Sequence, residues 1–385
     1  MAAVPRFALW NLGFRPFYLL ASVFAALSTA LWAAQFAGVL PESIQRSSAF
    51  HAHEMLFGYA VAVIAGFLLT AVRTWTNRPT PSGPMLAALA ALWIAGRVLV
   101  QTPCGLVGAV VDAAFPAAVA VAIGIPLVQS GNRRNYFFIA LLVLLGLADI
   151  ATNLSQLGIV SWPTHGALQA GLDLVLFIMA VVGGRVIPMF TNNGIPGARA
   201  TRNTWVERLA LGGVLALLGA DAVQAPAVVI VVLALALSLV HAARLALWQP
   251  WRTGATPLVW ILHASYGWIV VHLALRALAA AGLVAAPLAI HALTIGAIGG
   301  MTLGMMTRTA RGHTGRPLAA DGFEVACFVL VQLAASIRVV GGMLLPDVHA
   351  ATIVVSGICL SAAFAVYAIR YWPVLSRPRV DGKPG

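Results

Sequence analysis

Twelve apolar segments dominate the 385-residue chain, and each is long enough to cross the hydrocarbon core of a bilayer as a helix. They lie at about residues 15–37, 50–72, 84–101, 106–128, 136–157, 166–190, 205–222, 225–247, 257–281, 286–307, 321–344 and 349–371. Only 9% of the residues are charged and 61% are hydrophobic, which argues against a soluble domain of this size. The sequence therefore predicts an all-α polytopic membrane bundle of about 12 transmembrane helices, with residues 1–385 forming one domain that ends in a short tail at 372–385.

Arginines mark the loops on one side of this predicted bundle. They carry almost all of the net charge of +12, and they fall at the amino end, at alternate loops and in the tail. The positive-inside rule therefore predicts that both termini are cytoplasmic. Because the arginines occupy short loops and form no continuous patch, the charge does not indicate a nucleic-acid partner. The three cysteines are far apart, so the sequence indicates neither a disulfide framework nor an iron–sulfur site.

A His-x-His-Glu run, formed by His51, His53 and Glu54, opens the second apolar segment. Ionisable side chains in a membrane helix are costly and by default mark a functional site. Residues two apart on a helix point about 200° away from each other, so the two histidines face opposite sides of one helix. They can serve two neighbouring centres, or one can ligate a metal while the other donates a hydrogen bond. The alternative is a pair of interfacial histidines that bind backbone or water at a helix end.

Other histidines lie at a similar predicted depth. With a helical rise of about 1.5 Å per residue, His291 at the start of the tenth segment and His272 in the ninth share the outer half of the membrane with the His-x-His pair. His165 and His349 begin the sixth and twelfth segments at the outer border, where a capping or interfacial role is more common than metal ligation.

Three arginines break the positive-inside pattern, because Arg97, Arg276 and Arg338 fall on the outer side within or next to hydrocarbon. Such guanidinium groups need anionic partners. Asp112 at the start of the fourth segment is a plausible partner for Arg97. No obvious carboxylate occurs at the predicted depth of Arg276 or Arg338.

Small residues form a ridge on the tenth segment, where Gly296, Gly300 and Gly304 follow one another at four-residue spacing. Glycines in this pattern allow two membrane helices to approach closely. The ridge is nearly opposite His291, so we expect one face of this helix to pack while the other carries a ligand.

Several runs, spread over most of the chain, resemble motifs of the NnrS family. They are FRPF at 14–17, HAHEMLFG at 51–58, GFLLTAV at 66–72, GRVIPMFT at 184–191, HALTIG at 291–296 and MMTRTARGHTGR at 305–316. The chain departs from the family pattern at Phe50, where Trp is usual, and at Arg73, where Pro is usual. Neither position is a proposed ligand.

The resemblance implies a twelve-helix protein of the bacterial inner membrane that contains haem and copper. It implies an association with denitrification and with the response to, and protection from, nitric oxide. A further likeness to the catalytic subunits of haem-copper oxidases and nitric oxide reductases is architectural analogy alone.

Histidines are the natural ligands for these implied cofactors, since neutral imidazole suits both haem iron and copper. We predict that His53 and His291 ligate haem b. His51 and His272 would complete a second haem or a copper centre beside it.

The other charged residues have supporting roles in this hypothesis. Glu54 would carry protons or hydrogen-bond to a ligand, and Arg276 and Arg338 would bind haem propionates. The centre would bind nitric oxide and could reduce it with electrons from a quinol or a partner protein.

Two other functions fit the same residues. A transporter or channel without metal would use the buried His, Asp and Glu side chains as a proton or ion path. A haem-based nitric oxide sensor or iron-handling protein would bind without turnover. The sequence leaves open whether the protein is an enzyme.

Overall fold

A computed structural model describes residues 7–41 and 46–383 of the protein, and no β-strand occurs in either range. Twelve long helices account for most of these residues. They are α1 (Phe14–Phe36), α2 (Ser48–Thr76), α3 (Gly83–Leu99), α4 (Gly105–Gln129), α5 (Phe137–Gln156), α6 (Thr164–Gly194), α7 (Thr204–Ala222), α8 (Ala227–Leu247), α9 (Pro257–Ala280), α10 (Ala286–His313), α11 (Gly322–Leu344) and α12 (His349–Ser376).

The predicted all-helical membrane bundle is confirmed. Ten of these helices are long and apolar enough to cross a membrane. The other two are α3, an apolar helix of 17 residues, and α7, a helix of 19 residues with Glu207 in its first turn and Asp221 near its end.

Each helix packs against the next in sequence, and α12 packs along α1, so the order of helices closes into a ring. Helix α2 also contacts α4 and α6, and 83% of its most apolar stretch is buried, the largest share among the ten spans. The histidine-bearing α2 is therefore the central helix of the bundle.

The two ends of the described chain meet on one side of this bundle. Arg15 is fully buried and donates from Nη1 to the backbone carbonyls of Leu375 and Arg377, at 2.8 Å in each case. The amide of Ala8 donates to the carbonyl of Ser376 at 2.7 Å. An even number of membrane crossings requires this arrangement; the cytoplasmic orientation of this side stays a prediction.

The glycine ridge of α10 lies against α9, as the four-residue spacing predicted. A Cβ atom at Gly296 would overlap the ring of Trp268, and one at Gly304 would lie 2.9 Å from Ile261. At Gly300 it would overlap the hydroxyl of Ser265. Only glycine allows the two backbones to pack this closely.

We expect Gly296→Ala to destabilise the protein by roughly 1–3 kcal/mol, because the added methyl group must displace the Trp268 side chain. Thermal denaturation in detergent, followed by size-exclusion chromatography, measures the change. Gly212→Ala in α7 is the matched control, since no atom lies within 4 Å of the added methyl group there. Equal melting temperatures for the two variants would contradict tight packing at the ridge.

Candidate functional site

A cavity of about 690 Å³ opens at the end of the bundle opposite to the two chain termini. Six helices line it: α1, α2, α6, α10, α11 and α12. Most of the lining is apolar, and we refer to this space as the histidine cavity. Its basic lining residues are His51, His165, His291, His349 and Arg338.

His51 and His291 both line this cavity, and neighbouring groups orient their rings. The ring of His51 stacks on Trp32, with 4.3 Å between centroids and 13° between planes. His291 donates from Nδ1 to the carbonyl of Pro287 at 2.6 Å. Because a carbonyl only accepts, Nδ1 carries the proton and Nε2 keeps its lone pair for a ligand. Among residues 7–41 and 46–383, the two ring nitrogens of His51 and Nε2 of His291 have no hydrogen-bond partner.

Arg338 brings a positive charge to the same cavity. It is 7% exposed, and its Nη1 atom is buried with no hydrogen-bond partner in the described chain. No described carboxylate forms an ion pair with it. A buried guanidinium without an anion is costly, so this position favours an anionic ligand group.

Stretches of π-helix flank the cavity in three helices. They are Glu54–Ala60 in α2, Ala292–Gly299 in α10 and Ile337–Gly341 in α11. Each begins within three residues of, or contains, an ionisable cavity residue. Single stretches of π-helix occur frequently at functional sites, because the extra residue per turn re-aims the neighbouring side chains.

A second buried cluster lies on the other side of α2. His53 Nε2 lies 2.7 Å from Asp149 Oδ1, and His53 Nδ1 lies 3.0 Å from Glu54 Oε1. Arg97 donates to Glu54 Oε1 at 2.6 Å and forms an ion pair with Asp112. All five residues are at most 4% exposed. We name these residues the carboxylate cluster.

Local sequence explains how an arginine reaches the centre of this cluster. Gly58 has no side chain, and a Cβ there would lie 2.8 Å from Arg97 Nη1. The carbonyl of Gly58 lies in the π-helical stretch and accepts a hydrogen bond from the indole of Trp93 at 3.0 Å. A backbone carbonyl in the irregular turn of α2 therefore receives its hydrogen bond from α3, the helix that carries Arg97.

The carboxylate cluster also contains the one described group of three side chains that could jointly hold a metal ion. Ligand atoms of His53, Asp112 and Asp149 lie within 4.8 Å of one another. Asp112 Oδ2 is buried, accepts no hydrogen bond in the described chain and lies 3.5 Å from His53 Nε2. One imidazole and two carboxylates form a donor set that suits a divalent ion such as Cu(II).

The structure separates residues that we had predicted to act together. His53 does not line the histidine cavity, whereas His51 and His291 both do. The structure thus places His51, and not His53, in the same cavity as His291. The two histidines of α2 belong to different sites, as their predicted separation of about 200° around the helix requires.

His272 belongs to neither site. It donates from Nδ1 to the carbonyl of Ala289 at 2.7 Å, and its Nε2 atom is buried without a partner in the described chain. Its role as a metal ligand stays a prediction.

The prediction that Arg276 lacks a carboxylate partner was wrong. Its Nη1 atom donates to Asp173 at 2.7 Å, and Nη2 pairs with Asp221. Because two carboxylates already compensate the charge of Arg276, its position does not call for a haem propionate as counter-ion. The predicted pair of Arg97 and Asp112 is present.

His165 and His349, for which the sequence favours a capping or interfacial role, are lining residues of the histidine cavity. His165 and His349 are exposed at its rim. Both lie at the amino ends of their helices, α6 and α12, on the side of the bundle where His51 and His291 also lie. The similar depth predicted from the sequence was the signal that could have placed them in the cavity.

Comparison with known proteins agrees with this architecture. A sequence model described as NnrS protein matches residues 8–379, nearly the whole chain. The chain belongs to the NnrS family. A search of curated proteins found no significant match. The histidine cavity and the carboxylate cluster are thus features of an NnrS membrane protein, and the HAHE run of residues 51–54 contributes to both.

Proposed function

We propose that this NnrS protein holds haem b in the histidine cavity, with His51 and His291 as iron ligands, and binds nitric oxide there. One observation carries the proposal: a largely apolar cavity contains two imidazoles free to ligate and one guanidinium without an anion. This combination matches a flat apolar cofactor with a ligand-accepting iron and carboxylate substituents.

The cavity is of suitable size and chemistry. A volume of about 690 Å³ lies within the usual range for cofactor sites, roughly 300–1,000 Å³. Apolar side chains such as Leu56, Ile295 and Leu360 line the interior, while His165 and His349 lie at the rim. When bound, the haem would supply the iron, and nitric oxide would bind to it by displacing one of the two imidazoles.

Neighbouring residues hold the proposed haem ligands in position. Trp32 stacks on His51 and fixes the plane of its ring. The carbonyl of Pro287 holds His291 in the tautomer whose Nε2 is free, and Arg338 would bind a carboxylate through its free donors.

The carboxylate cluster is our proposed second centre, with His53, Asp112 and Asp149 as the copper ligands. Reduction of nitric oxide would follow 2 NO + 2 e⁻ + 2 H⁺ → N₂O + H₂O. The electrons would come from a quinol or a partner protein in the bacterial inner membrane. Glu54, whose neighbours Met55 and Leu56 line the cavity, would carry the protons.

An absorption spectrum of the detergent-purified protein tests the proposal. We expect a Soret band that shifts when the reduced protein is exposed to nitric oxide, and metal analysis of the same sample should find iron. A colourless protein that does not bind haem on reconstitution would contradict the proposal and favour a metal-free transporter. A nitric oxide shift without nitrous oxide release, with a reductant present, would indicate a sensor.

A further inference from the structure

A second cavity, of about 340 Å³, lies on the side of the bundle that holds the chain termini. It is formed by the ends of α10, α11 and α12 and by the loop between α10 and α11. We name it the arginine cavity, because four arginines line it: Arg311, Arg316, Arg370 and Arg377.

Two of these arginines have carboxylate partners. Arg311 donates to Glu324 Oε1 at 2.5 Å, and Arg370 donates to Asp321 Oδ2 at 2.9 Å. Both carboxylates have other donors as well, since Asp321 caps α11 and Glu324 accepts from the hydroxyl of Tyr371 at 2.6 Å. The acidic groups of the cavity are therefore fully engaged.

The other two arginines have no described carboxylate. Arg316 and Arg377 form no ion pair within residues 7–41 and 46–383, and Arg316 Nη1 is buried without a hydrogen-bond partner. Burial and the nearby guanidinium groups, Arg311 first among them, lower the pKa of Arg316. The four arginines outnumber the two carboxylates, so the cavity carries a surplus of positive charge.

A further guanidinium stands directly behind the cavity wall. Arg15 is fully buried, contacts the carbonyl of Arg377, and has Nε and Nη2 atoms without partners in the described structure. Arginines that only orient a membrane protein can remain exposed in loops. Buried guanidinium donors without partners, such as Nη1 of Arg316 and Nε of Arg15, favour an anion nearby.

We propose that the arginine cavity binds a phosphate group, with Arg316 and Arg377 as its main ligands. Planar guanidinium groups bind phosphate oxygens in pairs, and basic pockets at the ends of membrane helices bind anionic lipid head groups. The phosphate can belong to a phospholipid or to a free anion, because the chemistry of recognition is the same.

Thermal denaturation of the full-length protein distinguishes the two sources. In phosphatidylcholine–detergent micelles, we expect either inorganic phosphate or added cardiolipin to raise the melting temperature above that in sodium chloride of equal ionic strength. A response to inorganic phosphate alone identifies a free anion, a response to cardiolipin alone identifies a lipid head group, and a response to both identifies a phosphate site that accepts either. No response to either would overturn the proposal.

Variants then locate the binding. Arg316→Gln combined with Arg377→Gln should weaken the binding of the effective anion about tenfold or more, since each removes a charge-assisted hydrogen bond. Arg316→Lys keeps the charge and should weaken it less. Arg208→Gln is the control, because Arg208 is exposed on α7 and forms no ion pair in the described chain. Unchanged affinity in the well-folded double variant would overturn the proposal.

Discussion

The variant His291→Ala is expected to purify with about tenfold less haem than the wild type, or with none. The cavity supplies the iron with two well-oriented imidazoles, and removing one leaves an apolar gap where the ligand stood. His51→Ala should have the same effect, because its ring faces the same cavity. The measurement is the Soret absorbance per mole of protein, with iron determined on the same samples.

Two further variants make this result specific. His263→Ala removes a buried histidine outside the cavity and should keep its haem. His53→Ala should also keep haem, since His53 is bound by Glu54 and Asp149 on the far side of α2. If His53→Ala loses haem while His51→Ala retains it, the pairing of His53 with His291 that the sequence first suggested is correct.

The sequence predicted the helices well because the length and polarity of a membrane span are local properties. All twelve segments correspond to helices α1–α12, and the ridge of Gly296, Gly300 and Gly304 packs as its spacing predicted. The histidine cavity could not be located in this way. Six helices from both ends of the chain contribute to it, and no local pattern specifies how they are arranged.

Helix geometry also explains why the spacing of His51 and His53 does not decide which of them shares a cavity with His291. A spacing of two residues separates the faces of His51 and His53, but it does not say which neighbouring helix each face meets. That choice depends on packing: α4 and α5 bring Asp112 and Asp149 to His53, which leaves His51 toward the cavity.

Arginine partners are harder to predict, because the side chain reaches over more than one helical turn. Depth along the helices correctly paired Arg97 with Asp112 on the next helix. It missed the partners of Arg276, which are Asp173 on α6 and Asp221 at the end of α7. Neither residue is close in sequence, and only the ring of helices brings them together.

Arg97→Gln is expected to destabilise the protein by about 3–5 kcal/mol. Arg97 is the sole guanidinium that pairs with carboxylates of the carboxylate cluster in the described structure, and its loss removes this cation from both Glu54 and Asp112 inside the bundle. Thermal denaturation in detergent should therefore show a large fall in melting temperature. The size of the effect follows from desolvation, because an uncompensated buried charge has neither water nor a counter-ion.

Conservative and neutral changes test the electrostatic origin of this loss. Arg97→Lys keeps one positive charge but cannot donate to both carboxylates with the same fork geometry, so we expect an intermediate loss. Arg208→Ala on the exposed face of α7 should change stability by about 0.5 kcal/mol or less. A stable Arg97→Gln variant would mean that the carboxyl groups of the cluster are neutral in the folded protein. The carboxylate cluster would then lack the charged ligands that its proposed role as a copper site requires.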